Sequence, residues 1–147
     1  MRLDIREATC ADAENLASLA AQLGYPAWPE QMLTRLGCVD RATGRVFVAV
    51  AAGQVVGWIH VVLYYTLVTD HAAQLLGLVV DKNWRGRGVG RALLEAAEAW
   101  ALEGGSEVMY VRSRITRVDA HAFYKHLGYR ELKTSLTFVK PLQRGSQ

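Results

Sequence analysis

Leu75-Leu76-Gly77-Leu78-Val79-Val80-Asp81-Lys82-Asn83-Trp84-Arg85-Gly86-Arg87-Gly88-Val89-Gly90-Arg91 is the stretch on which the fold turns. An apolar run from Leu75 to Val80 reads as a buried strand. A glycine-rich loop follows it, and a helix-patterned segment, Ala92 to Leu102, follows the loop. Strand, glycine loop and helix start in this order make a phosphate cradle. Backbone N–H groups at a helix N-terminus lack intrahelical acceptors and carry the positive end of the macrodipole. Glycines let the backbone come close to a ligand, and Arg85, Arg87 and Arg91 add full charges. The construction suits a phosphate or pyrophosphate.

The kind of phosphate site can be narrowed. A triphosphate loop of the form G-x-x-x-x-G-K-[ST] is absent, since no Lys-Ser or Lys-Thr occurs here. The dinucleotide pattern G-x-G-x-x-G starts with Gly86 and Gly88 but breaks at Arg91. What remains is R-x-x-G-x-G, spelled by Arg85, Gly88 and Gly90.

A chain of 147 residues with 51% hydrophobic and 21% charged residues is expected to fold as one soluble domain, over 1–142, with a dispensable tail at 143–147. Met1 to Arg6 alternates charge and apolar residues, which reads as a strand rather than a signal or transit peptide. No apolar run approaches the roughly 20 residues of a membrane span. Cys10 and Cys38 have no metal-ligand spacing; they read as reduced thiols in a cytoplasm and as small buried residues. The net charge of +3 is mild, and its arginines gather at the loop. That distribution fits a small anionic cofactor better than a nucleic-acid face or a membrane surface.

Along the chain, Leu3 and Ile5 mark a first strand. Thr9 and Asp12 have capping-box spacing, so a helix is expected near Cys10, with Leu16, Leu19, Ala20 and Leu23 on its apolar face and Gly24 as its stop. Tyr25 to Pro29 is a turn, and Pro29 opens a second helix. Val46 to Val50 is a strand, Ala52-Gly53-Gln54 a hairpin turn, and Val55 to Tyr65 a long strand in which Gly57 marks a bulge or a close backbone approach. Thr66 to Ala72 is a loop. Gln74 to Val80 reads as a central strand covered on both faces. Val89, Leu93, Ala97, Trp100 and Ala101 share one face of the next helix, which Gly104-Gly105 closes. Glu107 to Arg112 is another strand. Thr116 and Asp119 repeat the capping-box spacing before a helix ended by Gly128, and Arg130 to Lys140 is a final β segment, single or paired. The order β-α-α-β-β-β-α-β-α-β implies an α/β (α+β) domain with a mixed, mostly antiparallel sheet and helices on both faces.

Several stretches carry a family resemblance. Arg85, Gly88 and Gly90 resemble the coenzyme A pyrophosphate loop of the GNAT N-acetyltransferases. Ile5-Arg6-Glu7-Ala8-Thr9 with Asp12 resembles that family's opening strand and helix, Val55-Val56-Gly57 its third strand, and Leu78-Val79-Val80-Asp81 the lead-in to its longest motif. Ala120 to Tyr129 resembles its late helix motif A-x-x-F-Y-x-x-x-G-F/Y. The element order matches over essentially the whole chain.

The resemblance implies acetyl transfer from acetyl-CoA to a primary amine by direct attack in a ternary complex. It implies pyrophosphate binding by Arg85, Gly86, Arg87, Gly88, Val89, Gly90 and Arg91, and pantetheine pairing along Leu78, Val79 and Val80. Phe123 and Tyr124 fall at the late motif, where Tyr124 would protonate the departing thiolate; a thiol near pKa 8.5 and a phenol near about 10 allow this. Many members place a glutamate at the start of the central strand as base. Gln74 stands there in this chain and cannot take a proton. Asp70, His71, His60 or a water chain are the alternatives. Tyr25, Trp28, Tyr64 and Tyr65 are the acceptor-site candidates, because the first interhelix turn and the loop after the third strand form the family's cleft.

His121 and His126 stand five apart and share no helix face, so no metal is expected. A small-molecule amine is the first acceptor reading. A protein or peptide acetyltransferase, a CoA-binding module without turnover, and a fold relative acting on charged tRNA are the others, the last without a basic stripe of interleaved aromatics to support it. A homodimer is the default expectation from the family.

Overall fold

The alternating N-terminus forms β1 (Leu3–Glu7), whose burial alternates as the sequence does. This computed structural model describes residues 2–145, in two compact units that meet at Arg112 and Ser113. In the first unit β1 leads through a single 3-10 turn, Cys10–Asp12, into α1 (Ala13–Leu23). The Thr9 N–H donates to Asp12 Oδ2 at 2.8 Å, the backbone half of the expected capping box. Arg6 grips both carboxylate oxygens of Asp12, at 2.8 and 2.9 Å, and so ties β1 to the start of α1. The hydrogen bonds from Arg6 hold the Asp12 carboxyl below its usual range, against the opposing effect of burial. Its stabilising contribution is therefore present at neutral pH and is lost as pH falls through that depressed value.

Gly24 ends α1 in the left-handed conformation, φ +98°, and α2 (Pro29–Gly37) starts with its proline in the first helical position. Then come β2 (Gly44–Ala51), β3 (Gln54–Tyr64), β4 (Ala72–Val80), α3 (Val89–Glu103) and β5 (Met109–Val111). The sheet order is β1-β2-β3-β4-β5, antiparallel except for the parallel pair β4–β5. Ala52 and Gly53 make the two-residue hairpin turn between β2 and β3, both at positive φ, 50° and 74°.

The two faces of the sheet are covered by different helices. α3 packs on β2, β3 and β4, burying Ile59 and Val61 against Leu93, Leu94 and Val89. On the other face α1 lies over β3 and β4, with Trp58 Nε1 donating to the Leu16 carbonyl at 3.2 Å; Met32 and Leu36 of α2 pack with Leu16, Val46 and Val48. Gly57 marks both a bulge and a close approach: the register against β2 goes from Ala49–Gly57 to Val50–Val55, leaving Val56 as an extra residue beside it, and a Cβ at Gly57 would lie 2.9 Å from the Val79 carbonyl and 3.1 Å from Leu93 Cδ1.

Several expectations are corrected. β4 is not covered on both faces throughout; Leu76 is 52% exposed, and β4 is next to the sheet's edge. The strand expected over Glu107 to Arg112 shrinks to the three residues of β5. Cys10 and Cys38 are exposed, because each sits at a helix boundary, one in the 3-10 turn before α1 and one as the C-cap of α2. Arg130 to Lys140 forms no strand: among the described residues nothing pairs with it, and a β pattern becomes a strand only beside a partner.

The second unit holds α4 (Val118–His126) and the extended chain after it. Arg117 is the N-cap, so the Thr116–Asp119 spacing does not make the expected capping box. Gly128, at φ +95°, turns the chain out of the helix. Residues 130–145 are exposed throughout, and the last two residues of the expected tail lie outside the described ones.

Candidate active site

The glycine loop is held from both ends. Asp81 N–H donates to the Val56 carbonyl at 2.8 Å, and Asp81 Oδ1 accepts from Asn83 N–H, so a 3-10 turn, Lys82–Trp84, leaves the strand at a fixed angle. Arg85 Nε returns to the Val80 carbonyl at 3.2 Å, and the Arg87 guanidinium sits 5.0 Å over the Trp84 ring. Arg91 pairs with Glu95 one turn along α3 at 3.0 Å.

Gly86 and Gly88 both adopt positive φ, 76° and 83°. Gly88 is the N-cap of α3, and the first helical bond runs from Ala92 N–H to its carbonyl at 3.0 Å. The N–H groups of Val89, Gly90 and Arg91 have no intrahelical acceptor. A Cβ added at Gly86 or Gly88 would meet no atom within 4 Å. The loop thus faces open space with free donors, a helix N-terminus and nearby cations, which fits a pyrophosphate.

β4 changes character halfway. Ala73 to Leu75 pair with β5, but no strand runs beside Leu76 to Val80 on that edge among the described residues. The register against β3 also slips there: His60 faces Gly77 while Val61 faces Leu75, so Leu76 is an extra residue. The parallel pairing with β5 stops at Leu75, next to the bulge, and Leu78, Val79 and Val80 have no strand on that edge among the described residues, where a linear ligand can pair with the backbone.

The register also assembles the face beneath α1. Gln74 pairs with Val62 on one side and Tyr110 on the other, so all three share a face with His60 and Tyr64. Tyr110 was not anticipated: its place beside Gln74 depends on a parallel register that sequence does not encode. Trp84, which carries Arg87, was equally hidden in the loop. Burial pushes the His60 imidazole below its ordinary range, which keeps it neutral at neutral pH. His71 stacks flat on Tyr65, 4.2 Å between ring centres, and Asp70 is exposed in the same loop. Tyr25 and Trp28, on the turn between α1 and α2, are 57% and 71% exposed, so Trp28 does not serve as a core cover.

Phe123 and Tyr124 belong to the second unit. Tyr124 packs edge-on between Phe123, 5.2 Å, and Tyr129, 5.8 Å. Burial raises its phenol above the ordinary tyrosine value, with Arg117 opposing, so the hydroxyl carries its proton at neutral pH. His121 Nε2 is within 2.8 Å of the Arg114 carbonyl. Among the described residues no three His, Cys, Asp or Glu side chains gather as a metal site. No helix among them is long and apolar enough to cross a membrane.

Known proteins align with this arrangement. The profile described as the acetyltransferase (GNAT) family matches residues 11–129. The aminoglycoside N(6')-acetyltransferase type 1 of Stenotrophomonas maltophilia is 36% identical over 149 residues, covering 95% of this chain and 94% of that protein. The aminoalkylphosphonate N-acetyltransferase of Salmonella typhimurium is 31% identical, covering 95% of this chain and 91% of that protein. Among solved structures, the aminoglycoside acetyltransferase AAC(6')-Iy in complex with the bisubstrate analogue CoA-S-monomethyl-acetylneamine superposes with a TM-score of 0.84 at 22% identity, covering 97% of this chain and all of that one, 100%. That likeness establishes the fold.

Proposed function

The chain belongs to the GNAT family of acetyltransferases and is an acyltransferase that uses acetyl-CoA; on that premise we propose that residues 1–142 act as one domain transferring the acetyl group to a primary amine of a small molecule, by direct attack in a ternary complex. The observation that carries this is the open cradle at Gly86 and Gly88 directly after a strand with a free edge from Leu76 to Val80. Bound there, acetyl-CoA supplies an activated thioester. The N–H groups of Val89, Gly90 and Arg91 bind the pyrophosphate, and Arg85, Arg87 and Arg91 neutralise its charge. The backbone of Leu78 to Val80 holds the pantetheine arm, and one of its N–H groups polarises the thioester carbonyl.

Tyr124 is the proton donor to the leaving sulfur. Burial keeps its phenol protonated at neutral pH, and the edge-on contacts with Phe123 and Tyr129 hold its ring. Gln74 Oε1 can accept a hydrogen bond from the amine but cannot remove its proton. His60 shares Gln74's face and is neutral, so it is the first candidate to take that proton, directly or through water; His71 is the second, in the loop entering β4. The acid limb of kcat/KM then lies below the ordinary histidine range and is absent in His60→Gln.

An aminoglycoside-type acceptor is the first choice of substrate. The 36% identical relative bears that name, and the exposed rings of Tyr25, Trp28 and Tyr65, with the half-buried Tyr64, suit a sugar ring bearing amines. The test is thiol release from acetyl-CoA against aminoglycosides, aminoalkylphosphonates, polyamines and peptides. Release with an aminoglycoside well above hydrolysis is expected. CoA binding without release on any amine would make the chain a binder. Tyr124→Phe keeps the ring and removes the hydroxyl, so kcat should drop by about 10²-fold with CoA affinity unchanged. A wild-type kcat removes Tyr124 from the mechanism.

A further inference from the structure

The three arginines of the loop are not held alike. Arg85 engages the Val80 carbonyl through its Nε at 3.2 Å, and Arg91 pairs with Glu95 at 3.0 Å. Arg87 meets an aromatic face instead. Its guanidinium carbon stands 5.0 Å from the centre of the Trp84 ring, and no carboxylate pairs with it among the described residues. Contact with a ring face draws on the charge of the guanidinium and not on a particular N–H. The rigid fork of donors stays available for a bidentate hydrogen bond to a phosphate.

The backbone builds this contact. Trp84 ends the 3-10 turn, with its N–H donating to the Asp81 carbonyl at 2.8 Å. Arg85 is extended, φ −67° and ψ 149°, and Gly86 follows at φ 76°. These are the φ signs of a type II turn, whose third residue is usually glycine. Such a turn reverses the chain within four residues, so residue 87 comes back beside residue 84. The half-buried ring is the platform, and the exposed arginine rests on it. A free arginine has many rotamers to lose when it binds a ligand. A ring that already confines it removes part of that loss before the ligand arrives.

We propose that Trp84 is a positioning residue for acetyl-CoA: its ring holds Arg87 beside the cradle in a posture suited to the pyrophosphate, and it acts only through that arginine. The inference rests on the reading of this loop as the pyrophosphate site.

The test measures CoA affinity by calorimetry on the full chain, with acetyl-CoA kinetics beside it. Trp84→Ala should weaken CoA about fivefold, the worth of one exposed cation–π contact. The KM for acetyl-CoA should rise by the same factor with kcat unchanged, because the lost binding is common to ground and transition states. Trp84→Leu keeps apolar bulk without a π face and carries the same expectation where the alanine variant fails to fold. Trp84→Phe restores a ring face and should recover most of the affinity. In an Arg87→Ala background, removing the ring should no longer change CoA affinity. S-acetylpantetheine, which has no pyrophosphate, should be used equally well by wild type and Trp84→Leu. Wild-type affinity in both Trp84→Ala and Trp84→Leu overturns the proposal. So does an equal loss with and without Arg87, which makes the ring a structural part of the loop, and so does tighter binding, which makes it a competitor of the phosphate. Gly88→Val separates the two levels of the argument. CoA binding lost there but indifferent to Trp84 overturns this inference alone, whereas CoA binding that survives Gly88→Val overturns the pyrophosphate site and the inference with it.

Discussion

Two glycines beside α3 are used in opposite ways. At Gly57 a Cβ would press on the Val79 carbonyl at 2.9 Å and on Val89 and Leu93 at 3.3 and 3.1 Å; the position needs the absence of a side chain. At Gly88 a Cβ would meet nothing within 4 Å, yet φ is +83°; the position needs a backbone shape and leaves room in front of it. One glycine lets a sheet and a helix touch, the other keeps a helix end open. Both look alike in a sequence, and only the neighbours separate a glycine kept for packing from one kept for binding.

The comparison can be broken first at Gly57. Gly57→Val should cost at least the upper part of the ~1–3 kcal/mol typical of overpacking, read as a lowered denaturation midpoint, because backbone cannot yield as a side chain can. A valine tolerated there at wild-type stability would show that α3 is free to lift from β3. Gly88→Val comes next. Its fold should lose only the roughly 1–2 kcal/mol of a left-handed residue, while the stabilisation by CoA, about 2.7 kcal/mol at a hundredfold excess over Kd, should vanish. An unchanged thermal shift with CoA would place the pyrophosphate elsewhere. The smallest effect sharpens the conformational half. Ala52 is the single described non-glycine residue at positive φ, 50°, and is exposed in the hairpin turn. Ala52→Gly should raise stability by up to about 1 kcal/mol in thermal unfolding, since strain is relieved and no packing is lost.

Local chemistry carried most of what could be read from the sequence. Thr9 with Asp12, Pro29, Gly24, Gly53 and Gly104 mark boundaries through their own backbone preferences, and the structure has ends or turns at each of these places. The cradle was legible for the same reason, since arginines, glycines and helix start are contiguous. Pairing was not. Whether Glu107 to Arg112 forms three residues of strand or six, and whether Arg130 to Lys140 forms any, depends on a partner far away in the chain. The face shared by Gln74, Tyr110 and His60 was invisible because a register slip of one residue moves each side chain to the other face. Cys10 and Cys38 were misplaced because residue type was weighed above position at a helix boundary.

The extra residue at Leu76 also changes the parity of β4. Against β3, Ala72 and Gln74 lie on the α1 side before it, and Gly77 and Val79 after it, so even numbers give way to odd within one strand. An apolar run with such a phase jump cannot alternate cleanly. The unbroken Leu75-to-Val80 sequence is thus the written trace of a step in register, and not of burial on both faces. Any graft of this strand into another sheet would have to carry the step with it. Deleting Leu76 alone would bring the two halves into one phase, with Gly77 still opposite His60 and the segment that leads into the loop keeping its face.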